Sequence, residues 1–208
     1  MSKAPEEGRI WEWRAFGTLP AELVEAIQLK PIRMGIRDLS GEDIYLVSPV
    51  SDQNVKLRLS QSDWLLKFKL LLETHDEQFE LYEESARYTY SLPVSASVVT
   101  EAAQLLRVQL PSDFDSRARF DLARLISILG RATPHVGVAS TRKRRSQFTV
   151  EGGWIELATV SFTSFDTQSV SVNSTELQNV VDNLARLKAP SSLEVMNYIQ
   201  ACRRWGLS

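Results

Sequence analysis

Four basic residues occur as two pairs with the same spacing, and this spacing can build an anion-binding surface. Lys56 and Arg58 are two positions apart, and after a polar break Lys67 and Lys69 are again two apart. Because side chains of a β-strand alternate between its faces, each pair lies on one face and the apolar residues lie on the other. A buried row of like charge needs compensation, which carboxylates or a multiply charged anion can provide.

Charged residues with strand-like spacing also occur near the start and near the end of the chain. Glu12 and Arg14 are two apart in "RIWEWRAFG", and Glu156 lies in the largely apolar segment "WIELATVSF". One wet face of an antiparallel sheet explains any single pair of this kind. The joint pattern over four strands instead predicts a curved sheet with its charged side inward and its apolar side covered by helices.

A run of four basic residues lies in another strand-like segment, "GVASTRKRRSQFTVE". Strand alternation allows two arrangements of this run. Either Arg142 and Arg144 share the inner face, or Lys143 and Arg145 do. The sequence alone leaves this choice open.

The composition is typical of a cytoplasmic globular protein. The 208 residues are 43% hydrophobic and 24% charged, and the net charge is −2, so no overall positive field attracts nucleic acid. No apolar stretch approaches the roughly 18 residues that a membrane span needs. The polar start "MSKAPEEGR" lacks a signal core, and the single cysteine, Cys202, suits a reducing compartment.

The order of elements predicts an α+β protein with a curled or closed antiparallel barrel. The strands are expected in the segments "RIWEWRAFG", "DIYLVSP", "NVKLRLS", "WLLKFKLLLE", "EQFELYEES", "RYTYSLP", "GVASTRKRRSQFTVE", "WIELATVSFTSF" and "QSVSVNS". Helices are expected after Thr18, at 97–107, from an N-cap at Asp113 to Gly130, at 173–187 and at 191–204. The helix at 191–204 has a possible capping box formed by Ser191 and Glu194.

These segments, taken in order, resemble the CYTH domain superfamily, also called the triphosphate tunnel metalloenzymes. The resemblance runs from about Arg9 to Leu187, so we expect one CYTH-like domain over 1–208. The family patterns include E-x-E-x-K, D-x-Y-[FL], L-R-[LI]-R and K-x-R-x-x-[YF]. The positions of this chain that match the family segments are Ile10, Glu12, Arg14, Asp43, Tyr45, Leu46, Lys56, Arg58, Lys69, Lys143, Arg145, Phe148 and Glu156.

The resemblance implies that a triphosphate or other polyphosphate compound binds in a charged β-tunnel, with metal-dependent hydrolysis. The residues that would hold phosphate are the basic ones, Arg14, Lys56, Arg58, Lys67, Lys69, Lys143 and Arg145. Glu12 and Glu156 would be catalytic and, with Glu77 or Glu80, would bind Mg²⁺ or Mn²⁺ through their oxygen atoms. The expected ligand is thus a small polyanionic phosphate compound, without a membrane or a nucleic acid as partner.

Two positions depart from the family pattern. Ile10 replaces the first glutamate of E-x-E-x-K, and Asn173 stands where the last acidic strand has a glutamate. Asn173 is also a good N-cap for the following helix, with Glu176 three residues later. These departures favour an alternative function, a non-catalytic phosphate-binding or scaffold protein with a degenerate metal site. The sequence leaves the substrate, the metal and the oligomeric state open.

Overall fold

The computed structural model describes residues 8–28 and 36–207. The strands are β1 (Arg9–Gly17), β2 (Ile36–Val47), β3 (Asn54–Ser60), β4 (Asp63–His75), β5 (Phe79–Glu83), β6 (Thr89–Ser91), β7 (Val94–Ser95), β8 (Arg119–Phe120), β9 (Gly137–Val150), β10 (Gly153–Ser161), β11 (Asp166–Ser174) and β12 (Glu194–Val195). The helices are α1 (Ala21–Gln28), α2 (Ala96–Leu106), α3 (Leu122–Gly130), α4 (Leu177–Leu187) and α5 (Tyr198–Ala201). A 3₁₀ turn spans Ala86–Tyr88, and a π-helical turn, Cys202–Gly206, continues α5.

Eight of these strands form a closed antiparallel barrel. Their order is β11-β10-β9-β2-β3-β4-β5-β1, and β1 pairs again with β11 over seven residues, which closes the ring. Strands β6 and β12 add short pairings to β4 and β1. The predicted α+β class with a closed antiparallel barrel and flanking helices is therefore confirmed.

The strand register places basic side chains next to each other on the inner face. Lys56 of β3 pairs with Tyr45 of β2 on one side and with Lys67 of β4 on the other. Directly paired residues on neighbouring strands point to the same face, so these three side chains form one row. Arg58 pairs with Asp43 in the next inward-facing row.

Helices cover the outer face in two places, and this sets which side of each strand is inside. Helices α2 and α3 bury Leu106 and Leu125 against Leu57 and Leu66 of β3 and β4. Helices α1 and α4 cover β1, β10 and β11, where Trp13, Val172 and Val180 share a second core. Each fully buried side chain of this size contributes about 1.5–3 kcal/mol, so the apolar sides face the helices and the charged sides remain inside.

One end of the barrel is filled by the C-terminal segment. The inward positions of β1, β2 and β10 become apolar there, where Phe16, Tyr45 and Val160 are buried. Helix α5 packs on them through Tyr198 and Ile199. We call this the closed end. No helix in the two described ranges is long and apolar enough to cross a membrane.

The starts of two helices, α3 and α5, differ clearly from those predicted. Helix α3 begins at Leu122, because the Asp121 side chain accepts the Arg124 N–H at 2.9 Å, so Asp113 is not the N-cap. Glu194 pairs in β12, and α5 begins after Asn197, whose capping box with Gln200 replaces the predicted one. The prediction of a helix over 191–204 was therefore wrong in its first half.

Asn173 was a candidate N-cap for the helix predicted over 173–187, and the structure places it in a strand instead. It lies in β11, paired with Glu12 of β1 and Trp154 of β10, and α4 begins only at Leu177 after Glu176. Pairing with strands on both sides holds its backbone in the sheet. The N-cap interpretation of Asn173 is therefore wrong.

A charged tunnel as the candidate functional site

The barrel encloses a cavity of about 980 Å³. All seven predicted phosphate-binding residues line it, namely Arg14, Lys56, Arg58, Lys67, Lys69, Lys143 and Arg145. Glu12 and Glu156 line it as well. Residues from distant parts of the chain thus face one space.

The inner residues of the basic run are Lys143 and Arg145. Lys143 is buried and Arg145 is 16% exposed, whereas the Arg142 side chain is 80% exposed and pairs with Glu42 on the outside. The register of β9 with its two neighbouring strands decides which basic residues face inward. Lys143 pairs with Gly41 of β2 and with Val160 of β10, and Arg145 pairs with Ala158 of β10. Ala158 and Val160 belong to the inner row that contains Glu156.

Arg14 lies between the two inner glutamates. Its Nε donates to Glu12 Oε1 at 2.8 Å, and both terminal nitrogens lie 3.4 Å from Glu156 Oε1. Burial alone would raise the pKa of Glu12 and of Glu156, but the positive charge of Arg14, with Lys69 for Glu12 and Arg145 for Glu156, lowers both below the usual value. Both carboxylates are therefore ionised and paired.

Lys69 forms the second pairing around Glu12. Its Nζ donates to Glu12 Oε2 at 2.8 Å, lies 3.3 Å from Glu84 and stacks 4.0 Å from the Tyr82 ring centroid. The charge of Lys69 lowers the pKa of Glu84 although burial opposes this effect. Glu84 was not among the predicted site residues, although its alternation with Tyr82 in the predicted strand "EQFELYEES" was a signal that could have identified it.

Asp43 is a third buried carboxylate that the predicted site did not include. It accepts from Arg58 Nε at 2.7 Å and from Lys143 Nζ at 2.9 Å. Burial opposes ionisation, but the charges of Lys143, Lys56 and Arg58 hold the pKa of Asp43 far below its usual range. Its match to the D-x-Y-[FL] pattern, two positions before Tyr45, was the signal that could have identified it.

Lys56 and Lys67 differ from the other inner cations because they have no acidic partner. In the described ranges, neither ammonium group has a carboxylate within 4.0 Å or a hydrogen bond. Lys56 is only 8% exposed, and its nearest aromatic ring, that of Tyr45, has its centroid at 5.6 Å. Burial, and then the charges of Arg58 and Lys143, lower the pKa of Lys56 well below its usual value.

The closed end contributes an aromatic wall that the sequence analysis did not predict. Tyr198 of α5 stacks on Tyr45 with 5.7 Å between ring centroids. Its ring also lies 3.6 Å from Lys143 Nζ and 4.6 Å from Arg14 Cζ. Such cation–π contacts hold the two basic groups in place without neutralising them.

The two alternative acidic residues, Glu77 before β5 and Glu80 within it, do not line the cavity. Glu77 is exposed at positive φ in the turn between β4 and β5. Glu80 accepts hydrogen bonds from Tyr82 at 2.7 Å and from Asn197 at 2.7 Å. Burial, and then the charge of Glu12, raise the pKa of Glu80, although these two hydrogen bonds oppose the shift.

The acidic side chains do not form a ready site for a divalent cation. Within residues 8–28 and 36–207, no three His, Cys, Asp or Glu side chains are grouped as metal ligands. Glu12 and Glu156 are engaged by basic groups, and Ile10 offers no oxygen atom. Asn173 has only a neutral amide, whose Nδ2 donates to Ser171 at 2.9 Å. The donor set present therefore does not fit Mg²⁺ or Mn²⁺ in this arrangement.

Comparisons with known proteins support the fold. No family model and no curated protein matches the sequence. A solved putative adenylyl cyclase from Hippeastrum, described as having a dominant triphosphatase activity, has a TM-score of 0.50 and 15% identity, over 94% of this chain and 95% of that one. A putative adenylate cyclase from Bacillus halodurans has a TM-score of 0.49 and 13% identity, over 93% and 98% of the two chains.

An RNA triphosphatase from S. pombe is also similar, with a TM-score of 0.37 and 12% identity, over 90% of this chain and 88% of that one. The barrel fold that this chain shares with the Hippeastrum protein agrees with the fold expected from the resemblance of its sequence to the CYTH superfamily.

Proposed function

We propose that this protein binds a linear polyphosphate, such as the triphosphate group of a small molecule, inside the barrel. The observation that carries the proposal is the buried ammonium group of Lys56, which has no acidic partner among the described residues. Keeping this buried group charged without a partner is costly, which is why its pKa is lowered, and a bound anion would supply the missing opposite charge.

The charge balance of the whole tunnel supports the same conclusion. Seven basic side chains line the cavity, against three acidic ones, Glu12, Glu84 and Glu156. Asp43 adds a fourth negative charge behind Arg58 and Lys143. With all seven basic groups protonated, which an approaching anion favours for Lys56, the excess is about three positive charges, and it attracts a multiply charged anion more strongly than a single phosphate.

The shape of the cavity suits a chain of phosphates. Its volume of about 980 Å³ is at the upper end of the usual range for small-molecule sites, roughly 300–1,000 Å³. One end is closed by Tyr198, so a ligand enters from the opposite mouth, where Ile10 and Trp154 line the cavity. The basic residues lie along the path between the mouth and the closed end.

Thermal unfolding in the presence of triphosphate, diphosphate, phosphate and sulfate at equal ionic strength tests this proposal. A ligand that binds only the folded state stabilises it by about 2.7 kcal/mol at a free concentration of about 100 Kd. We expect triphosphate to raise Tm most and phosphate least. Lys56→Met should reduce the gain strongly, whereas Arg142→Met, on the outer face of β9, should leave it unchanged.

Two results would contradict the proposal. One is a Tm that triphosphate does not shift, and the other is an equal loss of the shift in Lys56→Met and Arg142→Met.

The resemblance also implies hydrolysis with Mg²⁺ or Mn²⁺, and release of phosphate from triphosphate measures it directly. Because Glu12 and Glu156 are both paired with Arg14, we propose binding without hydrolysis as the function.

A further inference from the structure

We propose that the Arg14 guanidinium takes the place of a divalent cation in this tunnel, so that the polyanion is bound without metal. This inference rests on the proposed binding function but concerns the acidic side of the tunnel. It begins from Glu12 and Glu156, the two carboxylates to which the resemblance assigns a metal.

One guanidinium connects these two carboxylates. Arg14 Nε donates to Glu12 Oε1 at 2.8 Å, while Nη1 and Nη2 lie 3.4 Å from Glu156 Oε1. Nη1 also donates to Ser169 Oγ at 3.3 Å. A planar group with five N–H donors can thus hold two carboxylates and a hydroxyl together, as a bridging cation would.

The two remaining carboxylate oxygens also have donors. Glu12 Oε2 accepts from Lys69 Nζ at 2.8 Å. Glu156 Oε2 accepts from Gln147 Nε2 at 3.2 Å and lies 3.6 Å from Arg145. A magnesium ion bound to these oxygens at about 2.0–2.1 Å would lie beside Lys69 and Arg145, whose positive charges repel it.

Arg14 itself is held firmly in this position. Its side chain is 6% exposed, and its Cζ lies 4.6 Å from the Tyr198 ring centroid at the closed end. Removing the guanidinium from between the glutamates would leave two buried carboxylates with fewer partners, which costs several kcal/mol. A metal bound directly between Glu12 and Glu156 would therefore have to displace a buried, paired side chain.

The charge count around the glutamates is already balanced. Arg14 and Lys69 together offset the two negative charges of Glu12 and Glu156. Ile10 near Glu12 and Asn173, which pairs with Glu12 across β1 and β11, supply no further carboxylate, and Glu84 is already paired with Lys69. A divalent ion at this place would add two uncompensated positive charges.

Metal ions should consequently weaken binding of triphosphate, because the complex of triphosphate with Mg²⁺ carries less negative charge. Isothermal titration calorimetry with triphosphate in EDTA, and then in excess Mg²⁺, measures this effect. We expect an affinity in EDTA at least as high as in Mg²⁺. An affinity that rises tenfold or more with Mg²⁺ would overturn the inference and leave the proposed function intact.

Electron paramagnetic resonance of Mn²⁺ tests the metal site without triphosphate. We expect the signal of free Mn²⁺ to remain unchanged when the protein is added, and stoichiometric loss of that signal would overturn the inference. This result decides the inference even if triphosphate fails to bind under any condition, an outcome that would remove the proposed function alone.

Two designed variants separate the effect of Arg14 from the lack of acidic residues. The double variant Ile10→Glu with Asn173→Glu adds carboxylates but keeps the guanidinium, and we expect no Mn²⁺ binding. Adding Arg14→Met to this variant should create Mn²⁺ binding. If the double variant already binds Mn²⁺, Arg14 does not occupy the metal position. Circular dichroism of each variant establishes that it is folded before the comparison is made.

Discussion

Lys56 and Lys67 face each other across β3 and β4 on the inner side of the barrel, and no carboxylate in the described part of the chain lies within 4.0 Å of either ammonium group. Directly opposed like charges destabilise a sheet. The arrangement therefore weakens the ligand-free protein and favours the complex with an anion, and it leads to the first two predictions.

The stability of the ligand-free protein should depend on pH through Lys56. Burial, and then the charges of Arg58 and Lys143, lower its pKa in the folded state well below the usual 10.5, with Asp43 opposing. Between the lowered pKa and 10.5, Lys56 binds more protons in the unfolded chain than in the folded protein. The contribution of Lys56 to the free energy of unfolding therefore rises with pH in this window. Below that window Lys56 is charged in both states, and its burial lowers the free energy of unfolding by the full amount.

Lys56→Met should thus be more stable than the parent protein, most clearly at the low-pH side of this window. Urea unfolding at several pH values measures the difference, which should shrink as the pH approaches 10.5. Arg142→Met removes a charge that does not titrate in this range and serves as the control. A stability difference for Lys56→Met that stays constant with pH would contradict the prediction.

Binding of triphosphate should be accompanied by proton uptake. The negative charge of the ligand raises the pKa of Lys56, so a fraction of protein molecules gains a proton when the complex forms. Calorimetric titrations in two buffers with different ionisation enthalpies measure the number of protons exchanged. We expect this number to fall in Lys56→Met relative to the parent, and equal numbers in both proteins would refute the coupling.

The two stacked tyrosines should respond differently to loss of their hydroxyl groups. The buried Tyr198 hydroxyl has no hydrogen-bond partner in the described ranges, whereas the Tyr45 hydroxyl accepts a hydrogen bond from Lys143. We expect Tyr198→Phe to keep or raise the free energy of unfolding. Tyr45→Phe should lower it by about 1–3 kcal/mol, because the buried ammonium group of Lys143 loses one of its two hydrogen-bond acceptors and keeps only Asp43. Urea unfolding of both variants decides this, and a larger loss for Tyr198→Phe would contradict the assignment.

Trp154 should report ligand binding through its fluorescence. Of the tryptophans in the described part of the chain, it is the one that lines the cavity. We expect triphosphate to change the intrinsic emission of the parent protein, and Trp154→Phe to remove most of that change. Trp205→Phe, where the ring packs on Phe165 outside the tunnel, is the matched control. Loss of the signal only in Trp205→Phe would place the ligand elsewhere.

The sequence by itself determined which residues share a face within each strand. Alternation with a period of two is a local property of an extended backbone, so Lys56 with Arg58, and Lys67 with Lys69, can be grouped from their spacing alone. The resemblance in the order of motifs then indicated a tunnel. Local patterns predicted the helix starts less well. Several polar residues near Asp113 and Ser191 could act as N-caps, but the N-caps in these regions are Asp121 and Asn197.

Only the tertiary structure decided which groups meet inside. The choice of Lys143 and Arg145 over Arg142 depends on the register of β9 against its neighbours, which alternation within one strand cannot specify. The pairing of Arg14 with Glu156 joins residues 142 positions apart and exists because β1 closes the barrel on β11. Tyr198 reaches the same charges from a helix whose sequence carries no sign of the tunnel. Contacts of this kind arise when the barrel closes and the helices pack on it. They cannot be predicted from rules such as strand alternation, which relate only residues that are close in sequence.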